Sequence, residues 1–386
     1  MQSMSCTTSA VDAAPVARDD AFQGPWVDSP VFNRLIDARP LSATEKELIR
    51  KYREDGYLVI TESIVDETHA RMIQEHVWDT IEDGRYQDAW RVCEAVKDVA
   101  AHEKVLSILR LLYGREPIPF QTLNFVRGTE QATHSDVIHF SSLPRGFMAA
   151  AWVALEDITL KQGPLHYFPG SHKLPEFDYY DMGIAEEYVY PDAPWEGPNS
   201  WDNPRTMHKY KLYEQSIKSI AQENGFERHK LTLKKGEFLL WSANLLHGGE
   251  AIIDSLSTRK SQVTHYHFEN VVPWAPMFSN AKAGEYHVPP LNDIRTGEPL
   301  KKNLFNDKFV KLTPMGRQHR YRIEFPNQAD AAANAESNTF YEEMARLQDE
   351  LRYYRDENAR LQEQIKAMTD TKIWKMSSAI RQALNK

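Results

Sequence analysis

Between about residues 119 and 270 the chain is written in short strand-like runs, each ended by Gly, Pro or Asn. The runs are FQTLNFVRG, THSDVIHF, MAAAWVALED, GEFLLWSANLLHGG and RKSQVTHYHF. Short strands in this number bury their apolar faces by stacking into a sandwich or closing into a barrel, with helices packed outside. The preceding stretch, 41–114, has a different period. Ser42 and Glu45 form a capping-box pattern ahead of KELIRKYREDG, Gly56 ends that helix, and YLVI follows as a strand. Apolar residues then recur at helical spacing over 65–83 and 97–113. The expected class is mainly β with flanking helices.

Composition removes several alternatives. Against 46 basic residues stand 55 acidic ones, a net charge of −9, which lacks the excess of cations a general nucleic-acid binder needs. No apolar run reaches the ~18 residues of a membrane span. The first 28 residues read as a disordered leader of small and polar residues without a signal-peptide core, and a cytoplasmic location is expected. With only Cys6 and Cys93, no thiolate cluster is available. Any metal must be held by His, Asp or Glu.

Two further segments stand out. Residues 173–230 interrupt the strands with a polar, aromatic-rich insertion containing Tyr179, Tyr180, Tyr188, Tyr190, Trp195, Trp201, Tyr210 and Tyr213, which suits a lid or a surface insertion. Beyond a linker at 328–337, residues 338–369 alternate apolar positions by three and four. Met344, Leu351, Asn358 and Ile365 occupy one heptad position, and Leu347, Tyr354, Leu361 and Met368 the other. That period implies a left-handed coiled coil and a homodimer or higher oligomer, with Asn358 fixing register. The alternative is a single amphipathic helix docked on its own domain. Residues 370–386 form an amphipathic C-terminal helix able to lie on an anionic membrane surface.

The chemistry lies in THSDVIHF. If this stretch is a strand, His134 and Asp136 share a face and His139 points to the other side as a packing residue. A His-x-Asp pair presents two ligands to one metal. The best third ligand is His247, which ends an apolar strand and precedes two glycines that allow a tight turn. Two histidines and one carboxylate on one face of a metal describe the facial triad of non-heme Fe(II) oxygenases. Arg259 follows 12 residues after His247 and suits a bidentate pair with a dicarboxylate co-substrate. Ser261 shares its face and adds a hydroxyl.

The order GTEQATHSD, AAWVALEDITLKQGPLHYFPGSH, LKKGEFLLWSANLLHGG and STRKSQVTHY resembles the phytanoyl-CoA dioxygenase (PhyH-like) family of Fe(II)/2-oxoglutarate oxygenases. The likeness covers roughly residues 41–275 and sets the expected domain at 29–327. It implies a double-stranded β-helix (jelly-roll) core and hydroxylation of a small-molecule C–H bond, using O₂ and releasing succinate and CO₂. It also implies His134, Asp136 and His247 as iron ligands, Arg259 with Ser261 on the far carboxylate of 2-oxoglutarate, and Trp152 lining the co-substrate pocket. Gln121 and Asn124 are expected to add polar contacts there. His172 of PGSH is read as structural. Gln162 stands where many relatives have Asn. The retained carboxylate at Asp136 favours hydroxylation over halogenation. The tail TKIWKMSSAIRQALNK, through Trp374, Ser377 or Ser378, Ile380 and Arg381, resembles the ending of some bacterial glycosyltransferases and surface-polysaccharide enzymes, which implies a glycan- or lipid-linked context.

Two competing readings use the same residues. A non-catalytic jelly-roll scaffold dimerised by its coiled coil would be expected to have lost a triad member or the arginine, and this chain keeps all four. A zinc hydrolase would leave Arg259 without a role, and no H-E-x-x-H pattern occurs.

Overall fold

After a short α1 (Phe32–Ala38), α2 (Ala43–Asp55) begins at the expected capping box. Ser42 Oγ accepts from Glu45 N–H at 3.2 Å, and Ser42 N–H donates to Glu45 Oε2 at 2.8 Å. Such reciprocal caps contribute about 1 kcal/mol. The helix stops at Gly56, whose φ of 80° is the left-handed conformation glycine adopts at least cost, and β1 (Tyr57–Ile60) follows. Next come α3 (Glu67–His76) and a three-residue strand, β2 (Arg85–Gln87). The helical spacing over 97–113 resolves into two helices, α4 (Glu94–Ala100) and α5 (Glu103–Tyr113). They separate at His102, which is extended and accepts from Lys104 N–H through its own Nδ1 at 3.2 Å.

The structure, a computed structural model, describes residues 24–80, 84–184, 204–302, 304, 310–316 and 319–324, all within one compact unit, Gln23–Glu324. The linker, the coiled coil at 338–369 and the C-terminal helix at 370–386 lie outside the described residues. So do Tyr188, Tyr190, Trp195 and Trp201 of the insertion.

The remaining elements, in chain order, are β3 (Pro117–Phe125), β4 (Ser141–Leu143), β5 (Met148–Ala154), β6 (Leu165–Tyr167), α6 (Pro204–Glu223), β7 (His229–Lys230), β8 (Phe238–Ser242), β9 (His247–Gly249), β10 (Ser261–Phe268), β11 (Val272–Trp274), β12 (Glu285–His287), β13 (Lys311–Pro314) and β14 (Arg320–Glu324). The principal sheet is antiparallel in the order β1-β8-β5-β10-β3-β2. A three-stranded sheet has the order β7-β6-β9, and β4 pairs with β11.

Side-chain alternation divides the principal sheet into two cores. Ala149, Ala151 and Val153 of β5 join Phe238 and Leu240 of β8 against the helices, including Val105, Leu109 and Leu112 of α5. Ala150, Trp152 and Ala154 turn the other way, with Leu239 and Trp241, onto Leu165 and Tyr167 of the smaller sheet. With both faces covered, every residue of β5 is buried, which explains its unbroken apolar run. Each fully buried large apolar side chain contributes roughly 1.5–3 kcal/mol. The metal-binding candidates sit between the two sheets, at the end of the second core.

One expectation changes here. Trp26 and Val27, read as leader, form a buried 3-10 turn, and the Trp26 indole N–H donates to Leu111 C=O at 3.0 Å. A window of small polar residues hides two apolar anchors of this kind. The described part of the insertion is largely helical. Tyr179, Tyr210 and Tyr213 are buried with Ile138, Phe168 and Leu246 in a separate apolar cluster. No described helix is long and apolar enough to cross a membrane.

Candidate metal centre

His134 and His247 face each other across an isolated antiparallel bridge, exchanging backbone bonds of 2.9 Å and 3.0 Å. Here the structure departs from a continuous strand. The chain leaves the bridge at Ser135 and enters a 3-10 turn at Asp136–Ile138. Ser135 Oγ donates to Ala243 C=O at 3.0 Å, while Asp136 N–H donates to the same carbonyl at 2.9 Å. The turn therefore hangs from the end of β8.

This geometry gathers the three side chains. Asp136 Oδ1 lies 3.7 Å from Nε2 of His134 and 3.7 Å from Nε2 of His247. Ligand atoms of all three lie within 4.8 Å of one another, and all three residues are buried. Each imidazole is fixed by its own backbone, with Nδ1–H donating at 2.9 Å to Ala132 C=O in one and to Leu245 C=O in the other. That leaves the Nε2 lone pairs aimed inward, the tautomer a metal requires. Burial lowers both histidines from 6.5 to about 4, so both are neutral at physiological pH. Trp241 Nε1–H donates to Asp136 Oδ2 at 2.9 Å, leaving Oδ1 as the inward oxygen.

The glycines after His247 serve a different purpose from the tight turn expected of them. They lie in β9, and Gly249 N–H donates to Gln131 C=O at 2.8 Å. A Cβ on Gly248 would come within 2.8 Å of both Gln131 C=O and the His166 ring. Their role is to let the segment carrying His134 approach.

A cavity of about 510 Å³ surrounds the triad. Arg259 lines one end and is 1% exposed. One guanidinium nitrogen donates to Gly163 C=O at 2.9 Å, while its Nε and Trp152 Nε1 are buried without partners. The guanidinium carbon lies 5.6 Å from the Trp152 ring and 5.8 Å from Phe125. Burial lowers the arginine to about 10, so it still carries its charge at neutral pH. Among the described residues it has no carboxylate partner, and a buried cation so placed is a receptor for an anion. Ser261 shares the Arg259 face, with its hydroxyl donating to Arg259 C=O at 3.3 Å.

Among the remaining expected residues, Gln121 lines the cavity and its Oε1 pairs with His265 Nδ1 at 3.0 Å. Asn124 does not line it. Three positions along β3 reverse the face, and Asn124 bonds Gln262 at 3.2 Å on the helix side, where Gln262 reaches Val96 C=O. His172 packs over Gly56 and bonds Arg53 C=O at 3.1 Å, away from the triad.

His139 was expected to point away and instead lines the cavity, its ring centroid 6.2 Å from that of His134. In a 3-10 turn, residues three apart eclipse, which brings His139 round to the side of Asp136. Its Nε2 bonds Tyr210 Oη at 3.1 Å, so α6 reaches the site through one tyrosine. Sequence reasoning missed Arg85, Trp241 and His265. His265 was legible, because alternation along β10 puts it on the face of Ser261 and Val263.

Comparisons with known proteins follow this geometry. The family model described as phytanoyl-CoA dioxygenase (PhyH) matches residues 52–260. A probable phytanoyl-CoA dioxygenase of Caenorhabditis elegans is 25% identical over 162 residues, 42% of this chain and 43% of that protein. The match thus spans less than half of that relative's length. Among solved structures, the non-heme α-ketoglutarate-dependent carbocyclase SnoK from nogalamycin biosynthesis is 17% identical, with a TM-score of 0.46, over 69% of this chain and 96% of its own. EctD from S. alaskensis, solved with 2-oxoglutarate and 5-hydroxyectoine, is 19% identical, with a TM-score of 0.42, over 65% and 85%.

Proposed function

This chain belongs to the phytanoyl-CoA dioxygenase family, and from that membership we propose that it is an Fe(II)- and 2-oxoglutarate-dependent dioxygenase. The reaction is R–H + O₂ + 2-oxoglutarate → R–OH + succinate + CO₂, on a small-molecule substrate that is glycan- or lipid-linked in the finer form of the proposal. The observation that carries the reading is the convergence of His134, Asp136 and His247 with their Nε2 and Oδ1 atoms turned inward. The two-sheet arrangement around it is read as a double-stranded β-helix.

The donor set suits iron. Two neutral imidazoles and one carboxylate leave positions open on an octahedral metal, and no thiolate competes for softer ions. The bound Fe(II) would supply activation of O₂. The chain's own residues do the rest. Nδ1–carbonyl bonds hold the two imidazoles, and Trp241 holds the carboxylate by one oxygen. Arg259 would take the far carboxylate of 2-oxoglutarate, with Ser261 beside it and the Trp152 and Phe125 rings excluding water from that end.

Succinate formation from 2-oxoglutarate in air with added Fe(II) tests the reading. Wild type is expected to produce succinate and His134→Ala to produce none above background. If wild type neither binds nor consumes 2-oxoglutarate across a broad substrate panel, the proposal fails. Homodimerisation through residues 338–369 belongs to the same proposal. Light scattering should show a dimer for the full chain and a monomer once residues 336–386 are removed. A monomer in both cases removes the coiled-coil dimer.

A further inference from the structure

Among the described residues, five charged side chains line the cavity around the triad: Arg85, Asp88, Arg91, Asp136 and Arg259. If the dioxygenase reading is right, two of them are spoken for. A divalent metal, Asp136, a 2-oxoglutarate dianion and Arg259 together cancel. What remains among the described residues is two arginines against Asp88, one positive charge in excess.

The commitments of those three differ. Asp88 Oδ1 accepts from Thr122 N–H and from the Trp90 indole, both at 3.2 Å. Arg91 donates to Asn292 Oδ1 at 3.0 Å and lies 4.3 Å over the Trp90 ring. The Arg85 side chain is exposed and has no hydrogen bond or ion pair among the described residues. It stands on β2 opposite Phe125, and the only other residue of that strand on the cavity wall is Gln87. Elsewhere on the cavity wall the surface is apolar, with Phe120 and Phe140 meeting edge to face at 5.2 Å.

We infer that the substrate is a small, largely apolar molecule carrying one carboxylate or phosphate group, and that Arg85 is the residue that selects it. A guanidinium pairs with either group through two parallel N–H bonds. Anchoring the anion at Arg85 while the apolar body lies on Phe120 and Phe140 would hold one stretch of the molecule against the open side of the triad. Arg85 is thus a specificity residue, and its effect falls on substrate affinity, separate from metal and 2-oxoglutarate binding.

The test uses full-length protein loaded with Zn(II), which is redox-inert, titrated with phenylacetate, phenyl phosphate and the neutral phenylacetamide by saturation-transfer NMR, with and without saturating 2-oxoglutarate. At least one anion is expected to bind wild type about tenfold more tightly than the amide, and the anion that does so identifies the group. Arg85→Gln should bring that anion to the level of the amide and leave amide and 2-oxoglutarate affinities unchanged. Arg85→Lys should restore part of the preference. Equal binding of all three probes to wild type, or an anion preference that survives in Arg85→Gln, overturns the inference. Failure of 2-oxoglutarate to bind counts against the dioxygenase reading alone, because the probes are also measured without it.

Discussion

At the scale of single residues, Trp241 is the most exposed to test. Its indole occupies Asp136 Oδ2 and lies tilted with its ring centroid 5.1 Å from that of His247, so one side chain touches two of the proposed ligands. Trp241→Phe keeps an aromatic ring there and removes only the donor. Divalent-metal affinity, measured by competition with a chelator, is expected to fall about tenfold, the lower end of what lost partners of metal ligands cost. Fold stability should drop by only about 1 kcal/mol. Unchanged metal affinity would mean that the indole bond does not orient the carboxylate. The four residues proposed to carry the reaction were all legible in the sequence, because a ligand pair, a histidine before glycines and an arginine beyond it keep their order whatever the backbone does locally. The conformation of His139 was not legible. Alternation holds only while the chain stays extended, and the bonds of Ser135 and Asp136 to Ala243 end the extension at once.

Among the elements, β9 is where packing tolerance is smallest. Gly248→Ala must push either the Gln131 carbonyl or the His166 ring, and both border the bridge that aligns His134 with His247. The expected outcome is a destabilisation of about 1–3 kcal/mol, with metal affinity lost by more than the same substitution costs at a remote site. Denaturant unfolding and metal titration of the same variant check both. A neutral substitution would show that the bridge has slack. For α2 and β1, caps and breaker residues lie within a few positions of one another, and the sequence reading and the structure agree to the residue. By contrast, Asn124 went to the wrong face because a shared strand was treated as a shared side. The split between α4 and α5 depends on an imidazole cap at His102 that a hydrophobic period does not register.

For the molecule as a whole, the buried histidines set the response to acid. Burial holds His265 and His267 down to about 4 and His287 to about 3, against 6.5 in an unfolded chain. Below 6.5 the unfolded chain takes up these protons and the folded one does not. Their contribution to stability is therefore complete above pH 6.5 and drains away as pH falls through the folded values. Each group accounts for on the order of 3–5 kcal/mol at most. The melting temperature should fall steeply between pH 6.5 and 4, and the fall should be shallower in His267→Gln. A melting temperature that stays level from pH 7 to 5 would contradict their neutral burial.

The position of β10 has one more consequence, which concerns synthesis. In the order β1-β8-β5-β10-β3-β2, the last strand to leave the ribosome lies in the middle. Until residue 268 has emerged, the sheet is two unconnected halves, and β5 lacks one neighbour while β3 lacks the strand that joins it to the rest. Pairings this far apart in sequence form slowly. A nascent chain would display the paired apolar faces of β5 and β8 before their cover arrives, the interval in which a chaperone would have the most to bind.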